Sequence, residues 1–392
     1  MALTLDGTNG IVSSGSITTQ SATGVIFSDS SALTAASSPY VLKNRIINGD
    51  MRIDQRNSGA SVSTTTTNSA VYTVDRWFYQ VSQASKFTVQ QDAGAVTPPE
   101  GFSDYLGITS TSAYSVTSSD YLVVGQTIEG FNTADLGFGT VNAKTITLSF
   151  WVRSSLTGTF GGALRGGNSA ANAVSYPFSY TISSANTWTK ISLTIPGATI
   201  GSSWQVTTGA GLQLWFSMGS GSSLVGTANS WQAINVSAAT GSTNVVGTNG
   251  ATWYITGVQL EVGSTATPFE RRLYGQELIN CQRYYWKITE DDGFTGIVNV
   301  AANSTVDVYG VFQFPVAMRT SPTGSYGSAL TDFRVQINGV SVTPTSITFQ
   351  DPTVYNTVIN ASGSFTAGQA GWISFNGSTA GLTDYFDWSA EL

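Results

Sequence analysis

Along most of this chain, apolar and polar residues alternate with a period of two. In residues 145–153, Ile146, Leu148, Phe150 and Val152 share one face, and Thr145, Thr147, Ser149, Trp151 and Arg153 share the other. Successive side chains of a strand leave it on opposite sides, so this pattern predicts a half-buried strand. Residues 188–195 repeat it with Ile191, Leu193 and Ile195. Residues 211–219 set Leu212, Leu214, Phe216 and Met218 against Gln213, Trp215 and Ser217. In 252–263 the apolar set is Val258, Leu260 and Val262, and Gly257 predicts a bulge or a close approach of backbones. Beyond residue 287 the alternation resumes with Val308, Gly310, Phe312 and Phe314, then with Phe333, Val335 and Ile337. The latter run meets Asn338-Gly339 and continues through Val340 and Val342, the signature of a two-residue hairpin. Ile347 and Phe349, Ile373 and Phe375, then Phe386, Trp388 and Ala390 supply further inward faces. Strands with one wet face, joined by Gly, Ser and Asn turns, predict antiparallel sandwiches rather than a parallel sheet.

Two stretches depart from this period. In residues 270–286, Tyr274, Leu278, Cys281 and Tyr285 fall on one helical stripe. With Gly275 inside it, the stripe predicts a short helical or irregular linker over 273–286, its cysteine a small buried apolar residue rather than a nucleophile. Residues 1–42 carry only Asp6 and Asp29 as charges, with Ile, Val and Leu among Ser, Thr and Gly. They read as an N-terminal arm, either a flexible leader or a segment that packs on copies of itself or docks on a partner. The expected architecture is therefore all-β, with two antiparallel β-sandwich (jelly-roll-like) domains preceded by an extended N-terminal arm: 1–42, a large sandwich 43–272, the linker 273–286, and a small sandwich 287–392.

Composition sharpens this picture mainly by exclusion. Charged residues are 10% of the chain, against roughly 25% in an ordinary soluble domain. Thr and Gly in their place suit strands and turns. Ten Trp, 19 Phe and 16 Tyr are too many aromatics for a chain that never packs. A net charge of −7 with only 16 Lys and Arg argues against nucleic acid as a partner. No stretch reaches the roughly 18 apolar residues of a spanning helix, and the N-terminus lacks the features of a secretory signal, so no membrane insertion is expected. One cysteine excludes an intramolecular disulfide. The absence of histidine removes His-dependent triads, His-ligated zinc and imidazole acid–base chemistry. A glycosidase-like carboxylate pair is the catalytic option left, but no acidic motif stands out, and a non-enzyme is expected.

Several strings carry a family resemblance. NRIINGDMRIDQRNSGA (44–60), YTVDRWFY (72–79) and SFWVRSSLTGTF (149–160) resemble the opening and middle of a large sandwich in phage tail-fibre and receptor-binding proteins. YITGVQLEVGSTATPFERR (254–272) is similar to its closing strand, and ELINCQRYYWK (277–287) to the joint that follows. FPVAMRTSPT (314–323) and the closing SAEL (389–392) are similar to the module beyond that joint. The large sandwich also resembles carbohydrate-binding modules of the family 4/9 type, and the leader LTLDGTNGIVSSGSIT resembles fibre N-termini of phages of cyanobacteria and other aquatic hosts. The resemblance implies a virion component assembled in the host cytoplasm, a homotrimer attached through residues 1–42 to a tail or baseplate protein, with sandwiches that recognise host-surface polysaccharide. It also implies a structural calcium, for which Asp50 and Glu261 are the available acids. Ile255-Thr256-Gly257 stands where those modules tend to have aspartates, so no cofactor or metal is expected.

A glycan site needs an aromatic face for sugar C–H groups and side chains that bond hydroxyls. Trp204 among turn residues, Tyr326 and Tyr355 in expected loops, and Trp372 on the outer side of its strand are the candidates; no residue is expected to be catalytic. Trp151, Trp215 and Trp253 lie inside strands and are assigned to packing in cores or against neighbouring subunits, Arg76-Trp77 and Arg271-Arg272 to structural ion pairs or to capping the sandwich. Two other functions stay open: a structural fibre, adaptor or decoration protein without glycan affinity, and a polysaccharide depolymerase.

Overall fold

The computed structural model describes residues 43–166, 173–201, 204–289, 296–327, 329–376 and 384–392, with Val25–Ile26 and Ala32–Leu33. The chain forms two compact units, 1–42 and 43–392. In the first, Val25–Ile26 pairs antiparallel with Ala32–Leu33; the rest of the arm, and with it the docking or self-packing expectation, lies outside the described residues.

Strands of three or more residues are numbered along the second unit. The large sandwich contains β1 (Phe78–Val81), β2 (Phe87–Gln91), β3 (Leu106–Ser110), β4 (Tyr121–Glu129), β5 (Ile146–Ser154), β6 (Gly158–Gly166), β7 (Val174–Ile182), β8 (Thr189–Ile195), β9 (Ala210–Ser220) and β10 (Thr252–Val262). One sheet runs β7-β6-β9-β4-β1 and ends on Val71–Tyr72; the other runs β8-β5-β10-β3-β2 and ends on Val62–Ser63. Every ladder in both is antiparallel. The chain crosses between the sheets repeatedly, in a jelly-roll-like manner.

The expected inward faces meet between these sheets. Leu148, Phe150, Leu214, Phe216 and Leu260 are buried in one core. At its centre Phe216 packs against Phe150, Phe178 and Trp253. The Trp253 indole donates to the Tyr180 hydroxyl at 2.9 Å, which satisfies two polar groups in an apolar interior. Gly257 marks a register break between Thr256 and Gln259 against β5, at a φ of 62°. A Cβ there would meet the Phe102 ring at 2.6 Å, so both conformation and space require glycine.

The single α-helix of the described residues, α1 (Tyr274–Gln282), follows. It departs from the expected stripe. Tyr274 is exposed, Glu277 and Cys281 are buried, and Tyr285 already belongs to the next strand. Glu277 turns inward because its carboxylate pairs with Arg272 and accepts the Asn48 backbone N–H. Burial raises the Cys281 thiol well above its ordinary pKa, so it stays protonated.

The small sandwich contains β11 (Tyr285–Thr289), β12 (Val298–Ala302), β13 (Asp307–Gln313), β14 (Thr323–Gly327), β15 (Phe333–Ile337), β16 (Val340–Val342), β17 (Ser346–Gln350), β18 (Asn356–Ser362), β19 (Ala370–Phe375) and β20 (Tyr385–Ser389). A seven-stranded sheet β16-β15-β19-β12-β13-β18-β17 faces a three-stranded sheet β11-β20-β14. Phe312 stacks on Trp388 at 4.7 Å and Phe333 on Phe386 at 4.9 Å across the gap. Asn338 and Gly339, at φ of 48° and 77°, make the expected hairpin turn between β15 and β16.

The two sandwiches meet at a polar and aromatic joint. Arg56 and Arg76 both pair with Glu391, and their guanidinium carbons lie 3.4 and 3.6 Å from the ring centroids of Tyr285 and Tyr284. Glu129 receives Arg283 through both oxygens and the Tyr284 hydroxyl at 2.6 Å. Arg319 donates to the carbonyls of Thr208, Ala390 and Glu391.

Candidate functional site

The sequence-derived candidates are scattered. Trp204 is a packing residue at the rim of the large core: its ring meets Phe138 and Trp231 edge-on at 5.0 and 5.8 Å, and its N–H donates to the Ile200 carbonyl. Tyr326 is not in a loop but on β14, edge-on to Phe333 at 5.6 Å, in a groove shared with Ile347 and Phe349. Tyr355 precedes β18 and is largely exposed. Trp372 turns outward from β19 and is 47% exposed on the open face of the seven-stranded sheet. Arg76 and Arg272 make the ion pairs expected of them, whereas Arg271 stacks on Phe102. Glu261 is saturated by Thr267 and Gln259 donors, and Asp50 pairs with Arg52. Calcium takes six to eight oxygens, and these two engaged carboxylates do not fit such a site.

A different constellation forms on the outer face of the sheet that contains β9. Alternation along β9 sends Leu214 and Phe216 into the core and Trp215 outward, where it joins Phe78 and Val123 in a small separate apolar cluster. Gly125 lies opposite Trp215 in the ladder, and a Cβ there would come within 3.1 Å of the indole and 2.1 Å of the Leu214 carbonyl oxygen. The glycine lets the indole lie low over β4, where Tyr121 stacks beside it at 6.4 Å and 24°. From β6, Arg165 lays its guanidinium over the indole with 3.6 Å between its carbon and the ring centroid.

The far wall is folded back onto the same face. Ser175 and Gln232 exchange backbone hydrogen bonds at 2.9 Å, and the Ser175 hydroxyl donates to the Ile234 carbonyl. A chain of serine hydroxyls, Ser217, Ser220 and Ser237, ties the wall down at 2.7 Å per step. Leu224, Asn235, Val236 and Ser237 thus face Gln80, Tyr121, Gln213, Arg165 and Trp215 across a cleft of about 340 Å³, at the small end of ligand pockets.

The polar groups converging here are under-used. Asn235 accepts a hydrogen bond from Arg165 through its oxygen. Among the described residues, the side-chain amides of Gln80 and Gln213 have no hydrogen-bond partner, and the buried Trp215 N–H has no acceptor. Buried polar groups are ordinarily satisfied, so donors and acceptors left over around an aromatic ring are what a polyhydroxylated ligand would complete. Burial lowers the Arg165 pKa to about 10, which still leaves it cationic at neutral pH. No group of three or more His, Cys, Asp or Glu that could hold a metal occurs among the described residues.

Trp215 packs as its place inside a strand predicts, against Phe78 and Val123, but on the outer face of the sheet. Its outward side was legible from the alternation; the cation above it and the wall beside it were not.

No family model and no curated protein matches the chain. Among solved structures, the enzymatically active domain of tailspike protein 4 of bacteriophage CBA120 is similar at 15% identity and a TM-score of 0.30, over 56% of this chain and 21% of that one. The chain therefore spans about a fifth of that tailspike. A CBM4 structure is similar at 15% identity and a TM-score of 0.29, over 55% of this chain and 98% of that one. A putative sugar binding protein of Bacteroides thetaiotaomicron is similar at 13% and 0.34, over 56% and 100%. These are distant similarities, and the chemistry has to be read from the chain's own residues.

Proposed function

We propose that this chain is a non-enzymatic, carbohydrate-recognising fibre protein of a phage particle, assembled in the host cytoplasm as a homo-oligomer, and that its glycan site is the Trp215 cleft. The observation that carries the glycan reading is the convergence of unpartnered Gln80 and Gln213 amides and the Asn235 side chain on an indole at the floor of a sheet-face cleft. Neighbouring amides take sugar hydroxyls, and the indole, its face covered by Arg165, holds the guanidinium at the cleft. The virion setting, attachment through residues 1–42 and the trimeric state rest on the sequence strings that resemble phage fibres. The lack of catalytic function rests on a chain with no histidine and no acidic motif.

A glycan array on the full chain, followed by calorimetric titration, tests the site. Gln80→Ala, which removes ligand contacts worth roughly 1–2 kcal/mol, and Trp215→Ala, which removes the ring that holds Arg165, should each weaken binding by on the order of tenfold or more. Binding that survives both variants unchanged moves the site elsewhere. Absence of any binding favours a structural fibre role, the reading that the 6% exposure of Trp215 supports. In the same preparation, light scattering that returns a monomer at micromolar concentration would remove the homo-oligomer.

A further inference from the structure

We infer that the Trp215 cleft selects acidic glycans, with the Arg165 guanidinium receiving the anionic group of the sugar. This deepens the reading of the cleft as a glycan site and rests on it. Six other arginines of the described residues, Arg45, Arg52, Arg56, Arg76, Arg272 and Arg283, each reach a carboxylate within salt-bridge distance. Arg165, like Arg153, Arg271, Arg319 and Arg334, reaches none among the described residues, and its guanidinium is held in a partly buried position on the indole face of a cleft. Its one hydrogen bond goes to the neutral Asn235 amide. Among the described residues none that lines the cleft is acidic, and residues 167–172, which follow β6, read GNSAAN.

A guanidinium withdrawn from water and given no counter-charge is unfavourable unless an anion completes it. Its planar fork of N–H donors suits the two oxygens of a carboxylate or of a sulfate ester. The rest of the cleft, with the neutral amides of Gln80, Gln213 and Asn235, suits the hydroxyls of a sugar ring. The chain's net charge of −7 opposes general adsorption of an anionic polymer, so attraction of one at moderate salt reports a local cation. The two anion sources share this chemistry and are separated by the ligand.

The test uses the full chain and four probes: alginate, carboxyl-reduced alginate, dextran sulfate and neutral dextran, measured by affinity electrophoresis and tryptophan fluorescence. The expected result is binding to alginate, to dextran sulfate or to both, with neutral dextran at least tenfold weaker. Loss of binding on carboxyl reduction assigns a carboxylate; dextran sulfate alone assigns a sulfate ester. Arg165→Met keeps the methylenes on the indole and should weaken anionic binding by on the order of 10- to 100-fold, and Arg165→Lys should recover part of it. Should Arg165→Met misfold, the alginate against carboxyl-reduced alginate comparison on the unaltered chain still decides. Equal binding of neutral and anionic probes, or anionic binding unaffected in folded Arg165→Met, overturns the inference while leaving the glycan reading in place. No binding to these probes with a positive result for neutral sugars on the array overturns it as well. No binding to any glycan removes both.

Discussion

The joint between the sandwiches and the Trp215 cleft use the same motif, an arginine laid flat on an aromatic ring, with opposite outcomes. At the joint, Arg76 covers Tyr284 at 3.6 Å and is closed by Glu391 and the Thr127 carbonyl; Arg56 covers Tyr285 at 3.4 Å and is closed by the same glutamate. In the cleft, Arg165 covers Trp215 at an equal 3.6 Å and is closed by no acid. Stacking leaves the guanidinium edge free to donate, so the ring does not decide what the arginine does. The presence of an internal anion does. Where the chain supplies one, as Glu391 does, the stack locks two domains; at Arg165 the described residues supply none, and the proposed acidic glycan would take that place.

The largest expected effect lies at the joint. Glu391→Ala removes the only carboxylate among the described residues that pairs with Arg76, whose side chain is 1% exposed. Stranding one partner of a buried ion pair costs about 3–5 kcal/mol. Denaturant unfolding should show a loss of that order, while Arg165→Met changes stability by less than about 1 kcal/mol. Equal losses at both positions would break the distinction drawn here between a closed stack and an open one.

A somewhat smaller effect is expected from pH. Asp75 lies beside the joint, where it accepts the Gln55 backbone N–H at 3.0 Å and the Gln55 side-chain amide, which in turn donates to the Tyr285 carbonyl. Burial raises its pKa from 3.8 to about 6, with the Arg56 charge and the Gln55 hydrogen bonds opposing and Asp54 adding to the rise. The folded chain therefore holds this proton more tightly than the unfolded one. The resulting stability is fully present below pH 3.8 and is lost as pH rises through about 6, a change of roughly 2–3 kcal/mol at most. Asp75→Asn should remove that slope from the difference between the two melting profiles over pH 4–7. Arg165 does not titrate in that window, so glycan binding should be flat across it. A binding profile that follows the stability profile would instead couple the cleft to the joint.

How much of this could be read from the sequence depends on the range of the interaction. Period-two alternation is local, and it identified the buried faces of β5, β9, β13 and β15 and the outward side of Trp215. The Gly257 bulge and the Asn338-Gly339 turn are local backbone requirements and were equally legible. Arg165 meets Trp215 because the ladder aligns it opposite Gln213 from another strand, and the wall at 224–237 has no period to announce it. Trp204 looked like a turn residue because Phe138 and Trp231, which enclose it, come from distant segments. The SAEL string carried part of the family resemblance, but nothing local shows that Glu391 closes on Arg56 and Arg76, 335 and 315 residues away. Tyr285 continued a helical spacing by coincidence, since the helix stops at Gln282 and β20 claims the following residues as a strand.

The smallest change in stability should give the sharpest answer. Gln213 lies directly opposite Arg165 across the β6–β9 ladder and lines the same cleft. Gln213→Glu is nearly isosteric and gives Arg165 the internal anion that Arg56 and Arg76 already have. An opposite-charge pair directly across an antiparallel ladder contributes roughly 0.2–1 kcal/mol, so thermal unfolding should rise only slightly or stay level. Binding of an anionic probe should nevertheless fall at least as far as in Arg165→Met, because the new carboxylate both occupies the guanidinium and repels the ligand. Gln213→Ala separates the two causes: it loses one hydrogen bond to the sugar but leaves Arg165 open, so it should retain preference for anionic over neutral probes. If Gln213→Glu keeps full anionic binding, the guanidinium is not the receptor, and the two stacks differ in packing alone.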